Sequence, residues 1–326
     1  MFRVAMISRW HPHAVENRYV NQLKEIPDTA VSCVWDDDQP RGRAWAEELG
    51  VAFEPDLDAL LRRENVDGIC ITAPTNRHKE IILKAAAAGK HVFTEKALAM
   101  NGAEAREVRQ AVEQSGIRLG LAFPRRANRE YLYAKKLYDA GAFGQAALMR
   151  IRNAVTNRAV FAPHWFKAEP VGGGGAIRDL GCHNIDLACW ILGEPDSVSV
   201  TLGHVRGFDV DDTGVCNLTF PCGAIAMLDS TFSAPLCGNW YSFELYGSKL
   251  AFLSDTEQVT LIHADGSRER FPIAELEPGY PLPLHQWVNA CTGQGENLCD
   301  VAAGERVNRV LDAAARAMES HRTEPI

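Results

Sequence analysis

The 326-residue chain contains no run of lysine and arginine, and its 34 basic residues are outnumbered by 42 acidic ones, giving a formal net charge of −8. A mildly acidic chain without a basic patch has no electrostatic footprint for nucleic acid or an anionic membrane. No apolar stretch approaches the roughly 20 residues of a spanning helix. The opening Met-Phe-Arg-Val-Ala-Met-Ile runs at once into a strand-like segment, which leaves no room for a signal peptide. The nine cysteines form no CxxC pair and have no short regular spacing. That argues against a disulfide framework or a zinc knuckle and for reduced thiols packed as small apolar groups. What remains is a chain 46% hydrophobic and 23% charged, long enough for two domains. The expectation is a cytoplasmic enzyme.

Residues 2–7, 30–35, 67–73, 90–94 and 118–123 read as short buried strands. Helical patterns lie between them at about 14–25, 41–49, 56–64, 77–88 and 103–115. Strands alternating with helices mean βαβ units and a doubly wound parallel sheet. This gives a first domain over 1–123. From 124 the rhythm changes. A helix near 128–140 precedes a long strand at 145–156, and a Gly run at 172–175 precedes another helix. Strands at 197–206, 213–220, 223–233, 240–247, 249–253, 257–263 and 268–272 then follow at short intervals, before helices near 282–292 and 300–320. Short connections favour antiparallel hairpins. The second domain, 124–326, is therefore expected to be α+β, with a large, mostly antiparallel open sheet covered by helices on one face. In 213–233 one alternating set carries Cys216, Leu218 and Phe220 and the other Val215, Ile225 and Met227. Apolar residues on both faces point to a homodimer or homotetramer built through the open face.

In an open α/β sheet, ligands bind beyond the carboxyl ends of the strands. A dinucleotide site normally has a glycine-rich turn after the first strand, where backbone N–H groups approach the pyrophosphate. Here that turn is Ser8-Arg9-Trp10-His11-Pro12-His13, with no glycine. The end of the second strand points the other way. Asp36 stands where an acid would bond the ribose hydroxyls of NAD and repel the 2′-phosphate of NADP, and Asp37 and Asp38 add to that repulsion. Two later strand ends, Ala73-Pro74-Thr75-Asn76-Arg77-His78 and Gly89-Lys90-His91-Val92-Phe93-Thr94-Glu95-Lys96-Ala97-Leu98, also carry polar groups to the carboxyl edge.

On these residues the chain resembles the Gfo/Idh/MocA family of oxidoreductases. The family pattern is a strand ending in T-P-x-x-x-H, a later A-G-K-H-V-x-x-E-K-P-L, and a Gly-rich stretch before D-x-G-x-H-x-x-D. The last appears here as Gly172–Gly175 followed by Asp179-Leu180-Gly181-Cys182-His183-Asn184-Ile185-Asp186. The resemblance spans essentially the whole chain. It implies a Rossmann-like N-terminal domain that binds NAD, with NADP less favoured, and a C-terminal domain that binds a carbohydrate-like substrate. Two departures stand out. Ser8, Trp10 and His13 occupy the three glycine positions. Ala97 replaces a proline whose peptide bond is commonly cis in the family, and a cis bond costs a non-proline residue about 3 kcal/mol.

The chemistry implied is hydride transfer between a nicotinamide and a secondary hydroxyl or ketone of a sugar, glycoside or cyclitol. The resemblance places Lys96, Asp179 and His183 around the sugar. The spacing of Asp179, His183 and Asp186 puts all three on one side of a regular helix. His183 is read as the general acid/base, Lys96 as the cation polarising the reacting oxygen, and Asp179 as the orienting carboxylate. Expected cofactor contacts are Ser8, Trp10, His11, Asp36, Pro74, Thr75, Asn76, His78, Glu95, Lys96 and Trp165, the last beside His164 in a region that closes over the nicotinamide in the family. For His78 a structural role at the helix start competes with cofactor contact, and for Trp165 core packing does. Two other functions share the pattern: redox-neutral glycoside cleavage through transient oxidation, and non-catalytic sensing of nucleotide or sugar. His11 and His13 flank Pro12 and would point to one side of an extended backbone. No compact set of ligands is evident near them in the sequence, so no metal is expected.

Overall fold

The computed structural model describes residues 1–156, 174–234 and 240–326. Their contacts divide into two units, Met1–Phe123 with Pro281–Asn308, and Pro124–Tyr280 with Arg309–Ile326.

In the first unit the apolar runs form β1 (Phe2–Ile7), β2 (Thr29–Trp35), β3 (Ala52–Phe53), β4 (Gly68–Ile71), β5 (His91–Thr94) and β6 (Leu119–Leu121). They make one parallel sheet in the order β3-β2-β1-β4-β5-β6. The order reverses between β1 and β4, so their carboxyl ends flank the crevice where such sheets take ligands. All four residues of β4 are buried, as a strand covered on both faces requires. The connecting helices are α1 (Pro12–Val15), α2 (Arg18–Glu25), α3 (Gln39–Leu49), α4 (Leu57–Leu61), α5 (Thr75–Ala87) and α6 (Gly102–Ser115). The single helix expected over 14–25 is thus broken in two. Asn17 interrupts it in the left-handed region at φ 52°, a conformation asparagine tolerates better than most residues. Its amide accepts from Trp45 Nε1 (2.9 Å) and donates to Glu48 (2.6 Å), which holds the break in place.

The second unit begins with a 3-10 turn, Pro124–Ala127, and α7 (Arg129–Asp139). Next come β7 (Ala146–Thr156), a π-helical segment Ile177–Gly181 and α8 (Cys182–Leu192). The strands β8 (Ser197–Gly203), β9 (Thr213–Thr219), β10 (Ile225–Ala234), β11 (Trp240–Gly247), β12 (Leu250–Ser254), β13 (Gln258–His263) and β14 (Arg268–Pro272) complete the sheet with β15 (Glu324–Pro325). Among the described residues the order is β14-β13-β12-β11-β7-β10-β9-β8-β15. The pairs are antiparallel except β7 with β10, which run parallel with Ile225 opposite Leu148. Hairpin logic misses that pair because α8, β8 and β9 lie between its strands in the chain, the long crossover that parallel pairing requires. The inner face carries Met149, Ile151, Leu218, Leu228, Phe243 and Phe252, all buried, and α8 packs on β7 and β10. The outer face is mixed. Ile225 and Met227 are 44% and 38% exposed, but Arg152 pairs with Asp229 beside them at 2.8 Å.

The division expected between 123 and 124 is not contiguous in space, because residues 281–308 pack with the first unit. They include α9 (Pro283–Cys291) and the start of α10 (Val301–Ser320). Trp287 on α9 is fully buried and anchors the return. A Cβ on Gly68 of β4 or Gly120 of β6 would come within 2.9 Å of its side chain, so glycine at both sites lets the indole lie against the sheet. Trp287 Nε1 donates to the Arg118 carbonyl at 3.2 Å, satisfying its buried polar atom.

Candidate active site

At the carboxyl edge of the first unit, the turn after β1 is closed upon itself. Ser8 is fully buried at φ 67°, a conformation usually left to glycine. Its N–H donates to the Trp35 carbonyl (2.8 Å), the Arg9 N–H to Asp36 (2.8 Å) and the His11 N–H to the Thr72 carbonyl (3.1 Å). Pro12 has no N–H, and the His13 N–H is taken by the His11 ring at 3.1 Å. These groups are therefore directed into the protein and make no backbone cradle for a diphosphate.

Asp36 was expected to meet a ribose. Its carboxylate is buried and bound by Arg41 Nε (2.8 Å), Arg41 Nη2 (2.5 Å) and the backbone N–H groups of Arg9 and Asp38. Burial opposes its ionisation, but these donors outweigh it and hold the carboxyl below its ordinary pKa. Ser8 Oγ accepts from the same Arg41 at 3.3 Å. Asp37 keeps a 39% exposed side chain, and Asp38 caps α3 through the Arg41 N–H.

The ends of β4 and β5 are different in character. Pro74 begins α5, a helix of 13 residues whose start no side chain caps. Thr75 and Asn76 form its first turn, and Asn76 Oδ1 is a buried acceptor with no hydrogen-bond partner among the described residues. Such an orphan acceptor beside a helix N-terminus suits a bound polar group carrying both donors and negative charge. His78, by contrast, is committed to the chain. Its two ring nitrogens lie 3.0 Å from the carbonyls of Ala73 and Ala97, and burial holds its pKa down. It ties the end of β4 to the segment after β5. The Lys96–Ala97 peptide bond in that segment is cis. Lys96 itself is buried, with 8% of its surface exposed.

Glu95 turns toward the first turn instead of outward. Its carboxylate accepts from the Tyr19 hydroxyl and lies 2.6 Å from His13 Nδ1 and 3.6 Å from His11 Nδ1. Burial disfavours its charge, but the two histidines and Lys96 outweigh burial and hold Glu95 well below the usual carboxylate range. Burial likewise pushes His11 well below the usual imidazole value, against the pull of Glu95. The expectation that no compact ligand set surrounds this turn is overturned, because the sheet order brings a carboxylate 82 residues away onto both imidazoles. His13 and Tyr19 were not among the expected site residues. Trp10, half-buried, sits in the same turn.

In the second unit, Asp179 lies in the π-helical segment and His183 is the second residue of α8. Both are partly exposed. The regular i, i+4, i+7 spacing is therefore interrupted, a feature frequent at functional sites. Asp186 is gripped by Arg126 through Nε (2.9 Å) and Nη2 (2.6 Å), with both side chains buried. Arg125 reaches Asn184 at 2.6 Å and stacks over Tyr241. These two adjacent arginines, unremarked in the sequence, flank His183 by binding its neighbours on α8. Gly175 serves packing as well. A Cβ there would lie 2.0 Å from Asp211 Oδ1, whose carboxylate accepts from the Ile177 N–H at 2.9 Å and so starts the π segment. His164, Trp165, Gly172 and Gly173 lie outside the described residues.

Comparison with known proteins agrees with this architecture. A family model described as "Oxidoreductase family, NAD-binding Rossmann fold" matches residues 13–123, beginning just behind β1 and most of its glycine-free turn. A second, "GFO/IDH/MocA C-terminal domain", matches residues 131–252. The chain is 29% identical to a myo-inositol 2-dehydrogenase of Thermotoga maritima over 264 residues, covering 77% of this chain and 76% of that protein. Among solved structures, an oxidoreductase domain protein from Kribbella flavida superposes with a TM-score of 0.83 at 25% identity, covering all of both chains. A levoglucosan dehydrogenase in complex with NADH and levoglucosan superposes at 0.83 with 20% identity, covering 100% of this chain and 99% of that one.

Proposed function

The chain belongs to the Gfo/Idh/MocA family of oxidoreductases, and from that premise we propose that it is an NAD-dependent dehydrogenase or reductase acting on a secondary hydroxyl or ketone of a sugar, glycoside, cyclitol or derivative. The observation that carries the reading is Lys96, nine-tenths buried directly after β5. His78 joins its segment to the end of β4, ahead of the uncapped start of α5. Asn76 with its orphan acceptor, Pro74 and Thr75 fit the nicotinamide nucleotide here, while the β1 turn offers side chains at most. When bound, that group supplies the hydride acceptor or donor. Lys96 polarises the reacting oxygen, His183 takes the hydroxyl proton or returns it, and Asp179 orients His183. A panel of polyols and glycosides, scored by NADH absorbance, tests this reading. No net NADH with any of them, from protein that binds the nucleotide, would overturn it.

We assign the preference for NAD to charge. Three carboxylates, Asp36 to Asp38, outnumber the guanidinium groups of Arg41 and Arg77 that act on them at the end of β2, which leaves the segment net negative toward a 2′-phosphate. Fluorescence titration should show tighter binding of NAD than of NADP. Asp36→Ser should narrow the gap, because it removes a carboxylate and releases Arg41. Equal or tighter NADP binding by the wild-type protein would refute the assignment.

The outer face of the second sheet is proposed as the surface of a homodimer or homotetramer, with Ile225 and Met227 near its centre. Light scattering at micromolar concentration should find an oligomer, and a monomer rules this out.

A further inference from the structure

The cluster of His11, His13 and Glu95 takes no part in the chemistry assigned above. It occupies the turn where the chain departs from its family's glycine pattern. The three side chains come from the loop after β1 and the end of β5, and one ligand atom from each lies within 4.8 Å of the others. Glu95 and His11 are 1% and 4% exposed and His13 is half-buried. The two imidazole rings stand 4.5 Å apart, centre to centre, over one carboxylate oxygen.

We propose that His11, His13 and Glu95 form a binding site for a divalent ion of the zinc class, with its fourth position open. Two imidazoles and a carboxylate are a donor set that suits zinc, and three protein ligands with an open position are the pattern of accessible zinc sites. A tetrahedral ion about 2.0–2.1 Å from each ligand spaces the ligands roughly 3.3 Å apart. The 3.6 Å between His11 Nδ1 and Glu95 already fits this spacing. The 2.6 Å between His13 Nδ1 and Glu95 must open by less than about 1 Å. Tyr19, whose hydroxyl donates to the same Glu95 oxygen that faces the histidines, fixes the carboxylate's orientation, as outer partners of metal ligands do.

The balance of the exchange can be followed atom by atom. Arg18 donates to His13 Nε2 at 2.9 Å, which places the ring's proton on Nδ1, facing Glu95. Binding displaces that proton from Nδ1. The exposed Arg18 then turns to solvent, and the ring carries its hydrogen on Nε2. His11 Nδ1 gives up the bond it accepts from the His13 N–H. No residue changes its oxidation state.

The test uses untagged full-length protein, stripped with chelator and titrated with Zn²⁺ against a competing chromophoric chelator, with bound metal counted by elemental analysis. Co²⁺ serves as the spectroscopic probe, since a four-coordinate site gives intense visible bands. The expected result is one equivalent per chain at a Kd below about 1 μM. His13→Asn keeps a donor toward Glu95, and Glu95→Gln keeps an acceptor for Tyr19; each should weaken binding by about 100-fold or more. His183→Ala, in the other unit, should bind as the wild type does. Absence of binding by the wild type at 10-fold higher metal, about 10 μM, overturns the proposal. So does binding unchanged in His13→Asn and Glu95→Gln, or binding lost in His183→Ala. If one variant does not fold, by circular dichroism, the other and the wild-type stoichiometry still decide.

Discussion

His183→Ala is expected to lower turnover by at least about 10²-fold, and Lys96→Ala to do the same, as loss of a group that moves or steadies a proton in the transition state usually does. The two variants should differ in binding. His183 belongs to the second unit, so its removal should leave NAD affinity near that of the wild type. Lys96 is nine-tenths buried at the carboxyl edge of the first unit, where the nucleotide is proposed to bind, so its loss should weaken both nucleotide binding and turnover. An effect confined to the chemical step lowers kcat and kcat/KM together. Steady-state kinetics on the best substrate of the panel, with nucleotide titration of each variant, measures both. Near-normal turnover in His183→Ala would show that the acid/base lies elsewhere, and Asp179 and Lys96 would then have to be reassigned with it.

The sheet of the first unit was legible because its signals are local. Short apolar runs such as Val4–Ile7 and Gly68–Ile71 need no partner to be read, and alternation with helices dictates a parallel sheet. The second sheet was legible from its short connections, which dictate antiparallel hairpins, and the period of two emerges in burial along β9 and β10. Reading failed where a single residue or a distant partner decides. Asn17 splits one helical pattern by backbone conformation alone, which periodicity does not register. The π segment adds a residue to the turn between Asp179 and His183, which the regular spacing of the motif does not register. Nothing in the sequence shows that Arg41, five residues on, binds both oxygens of Asp36. The motif Glu95-Lys96 identified an edge correctly, but not that its carboxylate turns back toward His11 and His13. Trp287 returns to a sheet whose glycines precede it by more than 160 residues, and no spacing rule reaches that far.

Arg126→Ala is expected to destabilise the second unit by about 3–5 kcal/mol, the range found when one partner of a buried ion pair is removed. Arg126 and Asp186 are both buried and bound through two parallel hydrogen bonds. Truncating the arginine therefore leaves a carboxylate in the interior with its main charge partner gone. The pair's net worth is a different quantity. Taking both charges out of water costs several kcal/mol per ion, so an apolar pair of similar volume can be as stable as the salt bridge. Arg126→Met combined with Asp186→Leu should accordingly recover most of the stability that Arg126→Ala loses. Urea denaturation followed by tryptophan fluorescence suits the measurement, because the Arg126 guanidinium lies over the Trp190 ring at 5.7 Å. A loss below about 1 kcal/mol in Arg126→Ala would place the pair with surface salt bridges, whose worth is of that order. A double variant no more stable than Arg126→Ala would mean that the pair fixes the geometry of α8 through its charge and bidentate bonds. His183, three residues before Asp186, would then depend on that pair for its position, and kcat would fall in the double variant even where the fold survives.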